Sequence, residues 1–142
     1  MTSVDTNILV YAADPDSLHH EKSRDFLIHQ DDDFVLCQLV LVELYMLLRN
    51  KSVFKTPYSA REAASYCNSL ANSPKWRCVD YNPQISAKLW RWAENTDRGF
   101  RNIIDTRIAY TLQHHGVTHF ATANVKDFEG LGFQKVWNPL FS

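Results

Sequence analysis

The 142-residue chain is predicted to fold as an α/β protein, a single domain over residues 1–142 with a central, mostly parallel sheet flanked by helices on both faces. Short apolar runs alternate with longer stretches of helical periodicity, the strand-helix-strand-helix order that a parallel sheet covered on both faces requires. No repeat, low-complexity tract or linker rich in Pro, Gly or Ser divides the chain. With 45% hydrophobic and 22% charged residues, there is enough apolar material for one sizeable core.

Residues 2–5 read as a short buried strand that turns at Asp5, Thr6 and Asn7 into an apolar helix, which stops near Asp14-Pro15-Asp16. Asp16 or Ser17 is then expected to cap a helix running to about Gln30. The polar break Asp31-Asp32-Asp33 precedes a strand over 34–36, and residues 38–50 read as a helix with an almost continuous apolar face. Ser59 caps a helix over 60–71, with Glu62 placed to complete a capping box. A strand over 76–81 follows, then a helix opened by Asn82-Pro83 and running to about Asn95. A further helix, starting at Asn102 or a neighbour, is closed at His115 by Gly116. Residues 117–121 form a clear strand, and 135–137 a weaker one after Gly130 and Gly132.

Cys37, Cys67 and Cys78 form no C-x-x-C pair, so they are read as reduced thiols, mostly buried, rather than as a disulfide framework or a zinc site. His115 and His119 have a metal-like spacing, but Gly116 breaks their common face and gives both a surface role. No apolar run approaches the roughly 20 residues needed to cross a bilayer, and no signal-type segment opens the chain, so the expected location is the cytoplasm. Net charge is −1, yet residues 1–48 carry −7 and residues 49–142 carry +6. That division suits a polyanion held over cations, or else is mixed and solvated on folding.

Four acids sit in apolar surroundings near predicted element ends: Asp5 in V-D-T-N-I-L-V-Y-A, Glu43 in L-V-L-V-E-L-Y-M-L-L, Asp105 in N-I-I-D-T-R-I-A-Y and Asp127 in A-T-A-N-V-K-D-F. Each has a local explanation. Asp5 is placed to cap a helix, Asp105 to gain from a helix dipole, and Asp127 to cap or to pair with Lys126, while Asn124 competes with Asp127 for the same place. Glu43 has apolar neighbours on nearly every side of its helix. An ionised carboxylate costs roughly several kcal/mol to desolvate unless it is paired, hydrogen-bonded or bound to metal. In a parallel sheet, strand ends and helix starts of this kind converge on one edge, where ligands bind. Hard oxygen donors without Cys or His suit Mg²⁺ or Mn²⁺ better than zinc.

These motifs resemble, nearly end to end, the PIN-domain ribonucleases and, within them, the VapC-type toxins of bacterial toxin–antitoxin pairs. V-D-T-N-I-L-V-Y-A is similar to the family's opening strand, L-V-E-L to its central glutamate and I-I-D-T-R-I-A to its third acidic motif. T-A-N-V-K-D-F-E-G-L-G-F followed by W-N-P-L is similar to its closing segment. The resemblance implies a metal-dependent endoribonuclease with Asp5, Asp105 and Glu43 as Mg²⁺ ligands, Mn²⁺ being the substitute. Many members carry an acid where this chain has Asn124, so Asp127 or Asn124 completes the set. Thr6 and Thr122 match positions that orient carboxylates or water, with Asn7 and Asn124 assisting.

The resemblance further implies an RNA substrate, a homodimer and a VapB-type antitoxin whose C-terminal segment blocks the site. Arg98, Arg101 and Arg107, around the third acid, are the candidate phosphate contacts, and Phe54, Tyr58, Trp90 and Trp92 are candidates for base stacking, core or dimer interface. The alternative is a noncatalytic RNA- or protein-binding module with a structural metal site. A phosphoacceptor or aspartyl phosphatase fits less well, since Asn7 stands where the phosphatase needs its second acid.

Overall fold

The computed structural model describes residues 1–30 and 33–141; Asp31 and Asp32 of the expected polar break lie outside the described residues. Five strands, β1 (Thr2–Val4), β2 (Phe34–Cys37), β3 (Trp76–Val79), β4 (His119–Ala121) and β5 (Lys135–Trp137), form one sheet in the order β3-β2-β1-β4-β5. Every neighbouring pair is parallel. Successive strand residues point to opposite faces, so the complete burial of all residues in β1 and β2 means that both faces are covered there. The edge strands β3 and β5 are only partly buried.

Seven helices connect the strands among the described residues: α1 (Thr6–Ala13), α2 (His20–Ile28), α3 (Gln38–Leu48), α4 (Ala60–Ala71), α5 (Pro83–Asn95), α6 (Asn102–His114) and α7 (Val125–Phe128). Their local signals act mostly as expected. Ser59 accepts from Glu62 N while the Glu62 side chain accepts from Ser59 N, closing the capping box of α4. Asn82 caps α5 by accepting from Ile85 N at 3.0 Å. Gly116, at φ +92°, supplies the left-handed residue that ends α6, as Val117 N bonds back to Leu112 O.

Two local expectations are corrected. Neither Asp16 nor Ser17 opens α2, which begins at His20. The preceding residues are already bonded in turns, with Ser17 N on Asp14 O, His20 N on Ser17 O and His19 N on the Ser17 hydroxyl. The second correction is α7, one turn of helix in the stretch between β4 and β5 to which the sequence assigns no element. It is held by tertiary contact, because Phe128 is buried against Phe120, which also stacks on Phe133 at a 5.0 Å centroid distance.

The strand order fixes where a ligand can enter. The chain moves from β1 to β2 to β3 on one side, then crosses β1 to lay down β4 and β5 on the other. Order therefore reverses between β1 and β4, and the crevice beyond their carboxyl ends is the switch point of the sheet. Asp5 directly follows β1, and Thr122 directly follows β4.

Candidate active site

Asp5 is the best-anchored residue of the switch point. Its backbone N–H donates to Ala121 O at 2.9 Å, extending the β1–β4 pairing by one rung. The carboxylate caps α1, with Oδ1 accepting from Thr6 N at 2.7 Å, and Oδ2 accepts from the Thr122 hydroxyl at 2.7 Å. Asn7 completes this frame: its Nδ2 reaches Asp5 Oδ2 at 3.3 Å, and its Oδ1 accepts from Ala123 N at 3.2 Å. The Thr122 oxygen in turn accepts from Asn124 N at 2.9 Å. Asp5 is thus both a helix cap and an acid in the site, and the two roles do not compete.

The other three acids come from three different elements. Glu43 lies on α3 and accepts from the Thr6 hydroxyl at 3.3 Å. Its helix is less enclosed than the sequence suggests, because Val42 and Met46 are exposed. Asp105 stands in the first turn of α6, with Asn102 Nδ2 3.5 Å from its Oδ2. Asn102 was expected only to start the helix, yet its side chain serves Asp105 while Arg101 occupies the cap position without a side-chain bond. Asp127 stands in the first turn of α7. Asp5, Thr6, Asn7, Glu43, Asp105, Asn124 and Asp127 all line one cavity of about 340 Å³.

The electrostatics of this cavity are those of crowded like charges. Burial, reinforced by Asp5, Asp127 and Glu43, pushes the Asp105 carboxyl from 3.8 up to about 7. Burial also raises Asp5, against the lowering effect of its bonds from Thr122 and Thr6. Glu43 is raised by burial and by the neighbouring Asp5. No cationic side chain lines the cavity among the described residues. Four hard-oxygen acids with three raised carboxyls fit a divalent cation, which would replace their repulsion with attraction. As they stand, no three Asp, Glu, His or Cys side chains among the described residues are grouped closely enough to hold an ion, so collecting the acids on one ion requires rotamer changes within the cavity.

The candidate RNA contacts separate clearly. Arg98 gives Nη1 to Asp127 O at 2.9 Å and Nη2 to Glu129 O, so its guanidinium is committed to backbone. Arg107 lies 3.9 Å over the Tyr81 ring with its Nε buried and unbonded. Arg101 is exposed, beside the exposed Phe100 ring. Among the aromatics, Phe54 is buried, and Tyr58 packs between Phe54 and Tyr66 while donating to Ala13 O. Those two are packing residues. Trp90 is exposed and Trp92 half-buried. His115 and His119 are both half-buried, His115 with Nε2 3.3 Å from Asp80 O and His119 bonded to the Thr118 hydroxyl.

The fold and the cavity define a class: a parallel α/β domain with carboxylates gathered at its switch point. The PIN domain model matches residues 3–133, and the chain belongs to the PIN-domain family. It is 39% identical over 144 residues to Ribonuclease VapC24 of Mycobacterium tuberculosis, covering 100% of this chain and 99% of that relative. Among solved structures it is similar in fold to VapC20 of the same organism, described as a Sarcin-Ricin loop cleaving toxin, with a TM-score of 0.67, 16% identity and coverage of 84% of this chain and 87% of that one. FitAcB from Neisseria gonorrhoeae gives a TM-score of 0.67 at 19% identity over the full length of both chains. FitAB bound to an IR36 DNA fragment gives 0.69 at 16% identity, covering 100% of this chain and 97% of that one.

The hydroxyl of Thr122 provides a first test of the frame. Thr122→Val keeps the shape of a fully buried side chain but removes both the donor to Asp5 and the acceptor for Asn124 N. Loss of an outer partner of this kind typically weakens metal affinity by about 10–100-fold. Isothermal titration with Mn²⁺ is expected to show a loss in that range, and an unchanged affinity would remove Thr122 from the frame.

Proposed function

We propose that this chain is a divalent-metal-dependent endoribonuclease and the toxin of a toxin–antitoxin pair. The single observation that carries the reading is the convergence of Asp5, Glu43, Asp105 and Asp127 on one cavity at the switch point. Family membership and the full-length similarity to a ribonuclease support the substrate class. Asp5, Asp105 and Glu43 would hold Mg²⁺, with Mn²⁺ as substitute, and Asp127 would complete the set. When bound, the ion supplies a Lewis acid that makes water nucleophilic at neutral pH and offsets charge on the leaving oxygen. Thr6 N and the Thr122 hydroxyl fix the Asp5 carboxylate, Asn7 ties that carboxylate to the β4–α7 connection, and the Thr6 hydroxyl orients Glu43. In-line attack by water breaks the bond from phosphorus to the ribose 3′ oxygen and leaves 5′-phosphate and 3′-hydroxyl ends.

A second cavity of about 430 Å³ shares Asn124 and Asp127 with the first and adds Lys126, Asn138 and the exposed Phe141. It gives the RNA strand room on the far side of α7, and Arg101 with Phe100 offers a cation and a stacking ring next to the helix that carries Asp105. A protein partner is supported by exposed apolar surface: Val42 and Met46 stand on α3 beside a groove lined by Leu41, Tyr45, Cys67 and Ala71. A second copy of the chain and a VapB-type antitoxin are the proposed partners. No helix among the described residues is long and apolar enough to cross a membrane, and a cytoplasmic location is proposed.

The activity is tested by incubating purified protein with a mixed RNA substrate in Mg²⁺ and in EDTA, then mapping the new ends. Cleavage confined to the Mg²⁺ sample, with 5′-phosphate ends, is expected. Equal cleavage in both samples, or 2′,3′-cyclic ends, would contradict the mechanism.

A further inference from the structure

Arg98 lies in the connection between α5 and α6 and is only partly exposed. Its own N–H donates to the Thr96 hydroxyl at 3.1 Å, which folds the connection back on itself. From there the guanidinium reaches across to the end of α7, where Nη1 donates to Asp127 O and Nη2 to Glu129 O. The last carbonyls of a helix have no partner within it, and a planar guanidinium meets two of them at once with little loss of freedom. Gly130, at φ +78°, turns the chain immediately after these carbonyls. α7 has only one turn and cannot hold its own shape, so it depends on two anchors. Phe128 fixes it to the core, and Arg98 fixes its exit.

Both anchors act at or just after Asp127, whose carboxylate lines the acid cavity while its carbonyl is bound by Arg98. The connection that holds Arg98 leads directly into α6, which carries Asp105, so one side chain ties together the segments bearing the third and fourth acids. We propose that Arg98 is a positioning residue of the acidic site, setting the place of Asp127 through the α7 backbone, and that it does not contact RNA phosphate. This rests on the reading of the cavity as a metal site, within which it assigns the fourth acid its support.

The test uses the purified full chain without RNA, titrated with Mn²⁺, followed by RNA-binding measurements over a range of salt. Wild-type titration reads the metal site itself: no Mn²⁺ binding there would refute the functional reading and the proposal's link to it. With wild-type binding established, Arg98→Ala is expected to weaken Mn²⁺ by about tenfold or more, the lower range for an outer support. Asp127→Asn should lose a similar factor, and the double variant should lose no more than the worse single variant, because both act through one carboxylate. Arg98→Lys, which can reach one carbonyl but not both, should recover part of the loss. Amide exchange at residues 125–130 should quicken in Arg98→Ala and stay at the wild-type rate in Asp127→Asn, with melting curves confirming that each variant is folded.

Salt dependence separates positioning from phosphate contact. Each phosphate contact contributes about 0.9 to the slope of log affinity against log salt on a duplex and about 0.7 on a single strand. Wild-type and Arg98→Ala slopes are therefore expected to agree. Unchanged Mn²⁺ affinity with a slope lowered by one contact would overturn the proposal, as would additive losses in the double variant.

Discussion

Asp5→Asn should abolish RNA cleavage while leaving a folded protein. Asparagine caps helices about as well as aspartate, so the Thr6 N bond that starts α1 survives the change. Thr122 can turn its hydroxyl from donor to acceptor and bond the new amide, so the buried pair is not orphaned. What disappears is the charge. Neutralising the most buried acid of the cavity removes a hard anionic ligand that no neighbour replaces, and loss of activity should exceed the ~10–100-fold typical for an outer-shell partner. Initial cleavage rates under saturating Mg²⁺, beside melting curves of both proteins, check this. A variant within threefold of wild type would show that Asp5 is a cap and nothing more.

The second large effect concerns pH and metal together. In the metal-free protein Asp105 is raised from 3.8 to about 7, and Asp5 and Glu43 are raised in the same direction. Between the ordinary carboxylate range and neutrality the unfolded chain therefore binds fewer protons than the folded one, and stability falls as pH rises through that window. Asp105 is half-exposed, so solvent screening reduces the energy its shift represents. For Asp105, roughly 1–2 kcal/mol after screening would lower the melting temperature by about 3–10 °C in a chain of this size, and Asp5 and Glu43 act in the same direction. Metal-free protein should thus melt lower at pH 7.5 than at pH 5, and saturating Mg²⁺ should restore the difference at pH 7.5. Asp105→Asn should flatten the metal-free pH dependence and raise the melting temperature at pH 7.5. A metal-free melting temperature that rises across the same window would contradict the crowded-charge account.

Much of the site was legible because its signals are local. Asp5 follows an apolar strand, Asp105 opens an amphipathic helix, and Ser59 with Glu62 writes its capping box within four residues. The all-parallel sheet follows from strands separated by helices, since parallel neighbours need a crossover. Features that depend on contacts distant in sequence were not legible in the same way. The Asp16 and Ser17 cap is a local miss instead: these residues sit in turns, with Asp14 Oδ1 accepting from Asp16 N and Ser17 Oγ from His19 N, before α2 begins at His20. α7 exists because Phe128 finds Phe120 and Phe133 in the folded core. Arg98 looked like a phosphate contact because it precedes the third acid, whereas its partners lie 29 and 31 residues further on. Glu43 was expected to be hemmed in by apolar neighbours, but Val42 and Met46 face outward.

The central claim is that four carboxylates from α3, α6, α7 and the end of β1 share one divalent cation. Anomalous diffraction from crystals grown with Mn²⁺ locates that ion without reference to activity. The account predicts a peak inside the cavity bounded by Asp5, Glu43, Asp105 and Asp127, lost in crystals of Asp5→Asn. A peak elsewhere, or full occupancy retained in the Asp5→Asn protein, would contradict it.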